Sequence, residues 1–211
     1  MESARNNILA KLKGAQQKRG EIGENIPDFI SPVYLPLNDS LKEEFKYNLE
    51  LIGGQVIYCH SKEQIPAQVQ LICQSKVKDS IFCTDPHLQQ MMEGTVKIDS
   101  EESEFLDLSI GMTGCEFLVA HLGSVLISSA QISGRRLNVF PETHIVVAHQ
   151  AQIVDYLDNG LEKIQEKYKN KLPSLISNIT GPSRTADIEK TLVMGMHGPK
   201  SLIVIIAEKP F

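Results

Sequence analysis

The residues whose types and spacing could do chemistry lie between Ile179 and Pro199, in the stretch ITGPSRTADIEKTLVMGMHGP. Leu175 to Ile179 makes an apolar approach, and Thr180-Gly181-Pro182-Ser183-Arg184 reads as a tight turn. Ile188, Leu192, Val193 and Met196 then fall on one face of an expected helix. Strand, turn and helix start in that order would bring free backbone N–H groups, the positive end of a helix dipole, hydroxyls and the Arg184 guanidinium to one small volume. Such a volume suits a small carboxylate or phosphate. Asp187 and Glu189 fall in the first turn, where the same dipole favours carboxylates. The same letters also describe an ordinary capped helix, with Thr185 or Ser183 as N-cap, because glycine, proline and serine suit any sharp turn.

Outside that block, Gly111-Met112-Thr113-Gly114-Cys115 reads as a glycine turn, followed by strand material bent or bulged at Gly123. A close backbone approach explains these glycines, and a plain sheet corner explains Gly123 equally well. Of the six histidines, His121 lies in the glycine-broken apolar run and His197 between two glycines, so these two could meet a ligand. A hydrogen-bonded structural role is the alternative for each. His144 and His149 bracket one strand at an odd offset, which sends them to opposite faces and prevents a shared metal. Arg135 and Arg136 are either solvated surface or, for one of them, a bidentate clamp on an anion. No GxSxG, Walker or GxGxxG pattern occurs in a strand-to-helix context.

The elements that must position these residues alternate. Met1 to about Arg19 has a weak helical pattern with Ile8, Leu9 and Leu12, and prolines 27, 32 and 36 follow, so residues 1–37 read as an arm preceding a domain of residues 38–211. Ser40 to Glu43 has capping-box spacing, and the helix it opens carries Phe45, Leu49 and Ile52 until Gly53-Gly54 stops it. Gln55–Cys59 and Ser80–Cys83 read as buried strands with a helix over Ile65–Cys73 between them, and Asp85-Pro86 reads as an N-cap with proline at the first helical position. The segment 99–104 is acidic surface. His144–Ala148 reads as a strand, residues 150–170 as the longest helix, covering the sheet with Ile153, Leu157, Leu161, Ile164 and Tyr168, and Leu202–Ala207 as a last strand. The fold class is therefore α/β, a mostly parallel sheet flanked by helices, whose carboxyl-edge loops are the usual ligand positions.

A net charge of −5 gives no attraction to nucleic acid or an anionic membrane. No apolar run reaches the ~20 residues of a bilayer span and the first residues are polar, so a cytoplasmic protein is expected. Cys59, Cys73, Cys83 and Cys115 are scattered without close pairs, which suits buried reduced thiols rather than zinc or iron–sulfur ligands.

Taken together, GMTGCEFLVAHLGSVLISS, RRLNVFPETHIVVAHQAQIVDYL and ITGPSRTADIEKTLVMGMHGP resemble the LUD-domain family, specifically the LutC/YkgG lactate-utilisation proteins. The resemblance covers most of the chain beyond about residue 40. It implies a fold like the NagB/RpiA/CoA-transferase superfamily, and membership of a cytoplasmic three-part system that oxidises L-lactate to pyruvate. In such a system the iron–sulfur LUD subunit and the Cys-rich subunit are the partners, and this chain needs no cofactor or metal of its own. Thr180, Gly181, Pro182, Ser183, Arg184, Thr185, Asp187, Glu189, His197, Gly198 and Pro199 match the family pattern. The binding residues expected are these, without the two prolines, together with Thr113, Gly114, His121, Gly123 and Arg136; no catalytic residue is assigned. Where many relatives read A-E-T-G-T, this chain reads Ala120-His121-Leu122-Gly123-Ser124, so no residue aligns with the glutamate that accepts an acyl group in CoA transfer. The resemblance thus leaves a lactate-system subunit, a stand-alone enzyme for CoA- or phosphate-bearing substrates, and a regulatory interaction module as the three functional expectations.

Overall fold

The structure, a computed structural model, describes residues 2–21, 34, 36–99, 108–169, 171–185 and 193–211. Residues 1–36 and 37–211 form two compact units. The first contributes helix α1 (Glu2–Glu21), in which Ile8, Leu9 and Leu12 are exposed. At 20 residues α1, and not the helix found within 150–170, which has 12, is the longest among the described residues. No helix among the described residues is long and apolar enough to cross a membrane.

The second unit is built on a six-stranded sheet in the order β1-β12-β7-β4-β2-β3, every neighbouring pair parallel. Its strands are β1 (Gln55–Cys59), β2 (Ser80–Phe82), β3 (Lys97–Asp99), β4 (Ile110–Thr113), β7 (Thr143–His149) and β12 (Ser201–Ala207). Successive residues of the central strands point to opposite faces, and both faces are apolar because both are covered. Ile203, Ile205, Ile145, Val147 and Met112 pack with Ile65, Val69, Ile72 and Leu88 of helices α3 (Ile65–Ser75) and α4 (Pro86–Met92). Leu202, Val204, Ile206, Val146 and Ala148 pack on the other side with Phe45 and Leu49 of helix α2 (Leu41–Leu51).

That second side is not covered by helices alone. A four-stranded sheet, β8-β5-β6-β9, lies there, made of β5 (Phe117–Val119), β6 (Ser124–Ser128), β8 (Ile153–Val154) and β9 (Ile176–Ile179). Leu118, Val125 and Ile127 face the central sheet. Val119, Leu126 and Val154 face outward and are capped by Ile164 of helix α5 (Leu157–Tyr168). The expected helix over 150–170 is thus corrected. Gln150–Gln152 is a 3-10 turn, Ile153 and Val154 pair in parallel with Leu118 and Val119, and α5 begins only at Leu157. Strand pairing takes two β-branched or apolar residues that helical spacing alone would assign to the stripe. The helix covers the small sheet, not the large one.

Helix α2 is defined at both ends by local chemistry. Ser40 Oγ accepts the Glu43 N–H at 3.3 Å, and Gly53, at φ +87°, turns the chain out after Ile52. Asp85 accepts the N–H groups of His87 and Leu88 at the start of α4, as the Asp-Pro pair requires. Cys59, Cys73, Cys83 and Cys115 are buried and form no disulfide.

The glycine-rich segment resolves differently from its expected turn. Gly111 to Thr113 belong to the buried central strand β4, and the chain turns only at Gly114–Glu116. Gly111 is small because Leu137 and Pro141 occupy the space a Cβ would need, at 2.8 Å from each. Gly123 is neither a bend nor a bulge within a strand. It closes the 3-10 turn Ala120–Leu122 between β5 and β6 at φ +58°. A Cβ there would lie 2.1 Å from the backbone nitrogen of Leu49, so the close-approach reading holds, with α2 as the neighbour.

Candidate functional site

The turn at Thr180–Ser183 leads into a short strand at the position where a helix start was expected. Strand β10 (Arg184–Thr185) pairs antiparallel with β11 (Val193–Met194), Arg184 opposite Met194 and Thr185 opposite Val193. Asp187, Ile188, Glu189 and Leu192 lie outside the described residues. The helix is therefore corrected at both of its described ends, since Val193 is a strand residue and Gly195, at φ +78°, turns the chain before Met196. Two β-branched residues facing each other across a hairpin are better accommodated there than in a helix.

The hairpin also settles where the backbone donors go. The Ser183 N–H donates to the Pro199 carbonyl at 2.8 Å and the Gly195 N–H to the Ser183 carbonyl at 2.9 Å. Neither is a free helix-terminal donor of the kind the expected site required. Arg184 donates to the carbonyl of Ile52, just past the last turn of α2, where orphan carbonyls attract a cation. Gly181, at φ +80°, presses on the same Ile52, and Gly198 packs against Ser183, where a Cβ would lie 3.1 Å from that of the serine. Thr180, Arg184 and His197 are exposed, while Gly181, Ser183, Thr185 and Gly198 are half-buried. These residues gather at the amino ends of the central strands, because Pro199 and Lys200 immediately precede β12 and Gly53-Gly54 precede β1.

The other expected residues lie elsewhere. His121 and Gly123 sit in the turn between β5 and β6, His121 with its ring 5.2 Å from that of Tyr156. Arg136 is on the exposed side of a 3-10 turn whose Leu137 packs on Gly111. Thr113 and Gly114 lie at the carboxyl end of β4, at the opposite edge of the sheet from the hairpin. Thr113 faces inward, its hydroxyl 2.8 Å from His144 Nε2, both fully buried. Burial pushes the His144 imidazole down to about 4, so the ring is neutral at neutral pH.

At that carboxyl edge the structure forms a cleft of about 250 Å³ between the turns after β2, β4 and β7. Asp85, His87, Gly114, Cys115, His149 and Gln152 line it, and Phe211, beyond β12, closes one side with its ring edge-on to His149 at 5.9 Å. A second hollow of about 380 Å³ shares His87 and Phe211 and extends toward Lys62, Glu63 and Met91. Burial holds the His149 imidazole below its usual range and pushes the Cys115 thiol far above its own. Both are uncharged at neutral pH. Among the described residues no three His, Cys, Asp or Glu are grouped so as to hold a metal ion.

The residue after Cys115 is a buried carboxylate. The Glu116 side chain, fully buried, accepts from the Ser128 hydroxyl at 2.6 Å, the Tyr168 hydroxyl at 2.8 Å and the Lys167 ammonium at 2.7 Å. Gln152 completes the brace by donating to the Cys115 carbonyl at 2.8 Å. Sequence reasoning selected Thr113, which is buried against His144, and of the residues lining the cleft it selected Gly114 and missed His87, Cys115, His149 and Gln152. Only their positions after strands β2, β4 and β7 signalled them, through the rule that carboxyl-edge loops of parallel sheets hold ligands.

The sequence pattern of the LUD domain matches residues 42–207. Lactate utilization protein C of Geobacillus sp. is 31% identical over 128 residues, 59% of this chain and 52% of that protein. Lactate utilization protein C of Bacillus subtilis is 34% identical over 104 residues, 48% of this chain and 43% of that protein. This chain therefore spans about half the length of these two relatives. Lactate utilization protein C 1 of Bacillus mycoides aligns more broadly, 26% identical over 187 residues, 81% of this chain and 80% of that protein. The crystal structure of a DUF162 family protein from Deinococcus radiodurans has the same fold, with a TM-score of 0.62 at 18% identity over 82% of this chain and 99% of that one. With the domain pattern running from α2 to the end of β12, this chain belongs to the LUD-domain family.

Proposed function

We propose that this chain is a LutC-like component of a cytoplasmic system that oxidises L-lactate to pyruvate, acting beside an iron–sulfur LUD subunit and a Cys-rich subunit. In this reading residues 38–211 act as the LUD domain and residues 1–37 as an arm. The observation that carries the proposal is the alignment with lactate utilization protein C relatives, which in Bacillus mycoides extends over 187 residues. Within the component, Ser183, Arg184 and Gly198 hold a small carboxylate or phosphate at the amino edge of the sheet. The exposed guanidinium of Arg184 supports that assignment, because an anion can reach it from solvent and compete for it with the Ile52 carbonyl.

Purified protein mixed with the two proposed partner subunits tests the assignment. Co-elution with them, or a change in their lactate-dependent reduction of an artificial acceptor, is the expected result. If the chain neither associates with the partners nor alters their lactate oxidation, the proposal fails. Stabilisation by CoA esters or sugar phosphates, with no effect of the partners, would instead favour a stand-alone enzyme.

A further inference from the structure

We propose that the carboxyl-edge cleft is a binding site for a planar nitrogen heterocycle with an anionic tail, a nucleotide in chemical class. The ring lies against Phe211 and His149, and the tail runs outward toward Lys62. This site is separate from the anion-holding hairpin proposed above.

The lining decides the chemistry. Most polar groups of the inner cleft are already committed within the protein. The Asp85 carboxylate accepts the His87 and Leu88 N–H groups. The Gln152 amide donates to the Cys115 carbonyl and accepts the His149 N–H at 3.0 Å. The Cys115 sulfur also accepts from the Gln152 amide at 3.7 Å, so what remains to meet a ligand is the imidazoles of His87 and His149, the Phe211 ring and the apolar surface of Leu88 and Val147. Among the described residues no lysine or arginine lines the inner cleft, and Asp85 is its one formally charged side chain. A phosphate or carboxylate placed there would lose its water to gain a like charge and no cation, which is unfavourable. A flat ring loses little on leaving water, gains aromatic contact, and offers an edge that hydrogen-bonds to imidazole.

The outer hollow adds the other half of the ligand. It opens from the inner cleft past His87 and Phe211; among the described residues Lys62 is the one lysine or arginine lining either compartment, and Glu63 lines the outer hollow with it. Met91 and Pro66 supply apolar surface along the way. A negative group outside meets the Lys62 ammonium along with Glu63, whereas in the reverse orientation it would meet Asp85 with no cation, so the neutral ring belongs inside.

The test uses the full chain with AMP, nicotinamide mononucleotide and flavin mononucleotide as probes, and inorganic phosphate and L-lactate as controls. Binding is read by saturation-transfer NMR and by titration. At least one nucleotide should bind with Kd under about 1 mM, with saturation strongest on the ring protons. Phe211→Ala and His87→Ala change exposed positions and leave the core intact, so both proteins fold. Each should weaken that nucleotide about tenfold or more, while Arg184→Ala leaves it unchanged. Absence of binding by all three nucleotides would overturn the proposal. So would binding indifferent to both cleft variants, or inorganic phosphate binding as tightly as the nucleotide. Because Arg184 and the partner subunits play no part in this readout, its failure is distinguishable from failure of the lactate-system assignment.

Discussion

Replacing Glu116 with alanine should destabilise the domain by about 3 kcal/mol, most of it from groups the carboxylate leaves behind. Glu116 sits in the turn after β4, and its side chain has no exposure to solvent. Removing it strands the Ser128 and Tyr168 hydroxyls, which both donate to the same carboxylate oxygen. The Ser128 hydroxyl is buried and Tyr168 is half-buried, and each hydroxyl orphaned away from water costs about 1–3 kcal/mol. Lys167 adds little to that sum, because its side chain is 55% exposed and can turn to water. Lys167→Met works in the other direction, leaving a buried carboxylate held by two hydroxyls, and should cost about 1–2 kcal/mol, below the full penalty of breaking a sealed pair. Tyr168→Phe should cost about 1 kcal/mol. Urea unfolding followed by circular dichroism gives all three values.

The pH dependence adds a second check. Burial raises the Glu116 carboxyl, but the hydrogen bonds from Lys167, Ser128 and Tyr168 together outweigh it and hold the group below its usual range. A lowered native value means the stabilisation is complete above the ordinary carboxyl range and is lost as pH falls through the native value. The Glu116→Ala penalty should therefore be flat above about pH 5 and shrink in more acidic solution. A penalty under about 1 kcal/mol at neutral pH, or one that grows on acidification, would refute the account of the network as a hydroxyl-satisfying brace.

Arg184→Ala should weaken binding of any anion held at the hairpin by tenfold or more, from the ~1.5–3 kcal/mol of a charge-assisted contact, with little change in melting temperature. Isothermal titration checks it, and unchanged affinity removes Arg184 from the site. Gly123→Ala should cost about 3 kcal/mol or more, because the added Cβ meets the Leu49 nitrogen at 2.1 Å and the backbone sits at φ +58°; a near-native urea midpoint would contradict the close approach to α2. His144 titrates near 4 in the native protein against about 6.5 when unfolded, so the unfolded chain takes up the proton first and stability falls as pH drops from about 6.5 to 4. The loss over that window is about 3 kcal/mol and should be absent from the acid limb of His144→Gln.

How much was legible depended on whether local chemistry or tertiary pairing decided each element. The strand Gln55–Cys59, the Ser40 cap, the Gly53 stop and the Asp85-Pro86 helix start are local signals, and each stands where the sequence put it. The long stripe from Ile153 to Tyr168 is a true helical pattern only from Leu157 onward, because β5 recruits Ile153 and Val154. Gly111 looked like a turn because a glycine in a strand has no local signature when its reason is a leucine and a proline about 30 residues later. Thr185 and Val193 pair across two short strands, a pairing that neither helical periodicity nor capping letters can reveal. The cleft was hidden for the same reason. His87, Cys115 and His149 are unremarkable in sequence and meet only because parallel pairing aligns the carboxyl ends of β2, β4 and β7.

The two edges of the sheet should act independently. Strand β12 joins them, with Pro199 and Lys200 entering from the hairpin side and Glu208 leaving at the cleft side. Seven residues of strand set the edges roughly 20 Å apart. Along that length Leu202 to Ala207 are buried, and β12 is hydrogen-bonded to β1 on one side and β7 on the other. Coupling across such a distance needs an element with two alternative arrangements, and a strand locked on both edges and both faces offers one. Stability changes from Arg184→Ala and Phe211→Ala should therefore add to within about 0.5 kcal/mol in the double variant. Non-additivity beyond that would mean the sheet itself shifts between two packings, and the hairpin and the cleft would then have to be treated as one site.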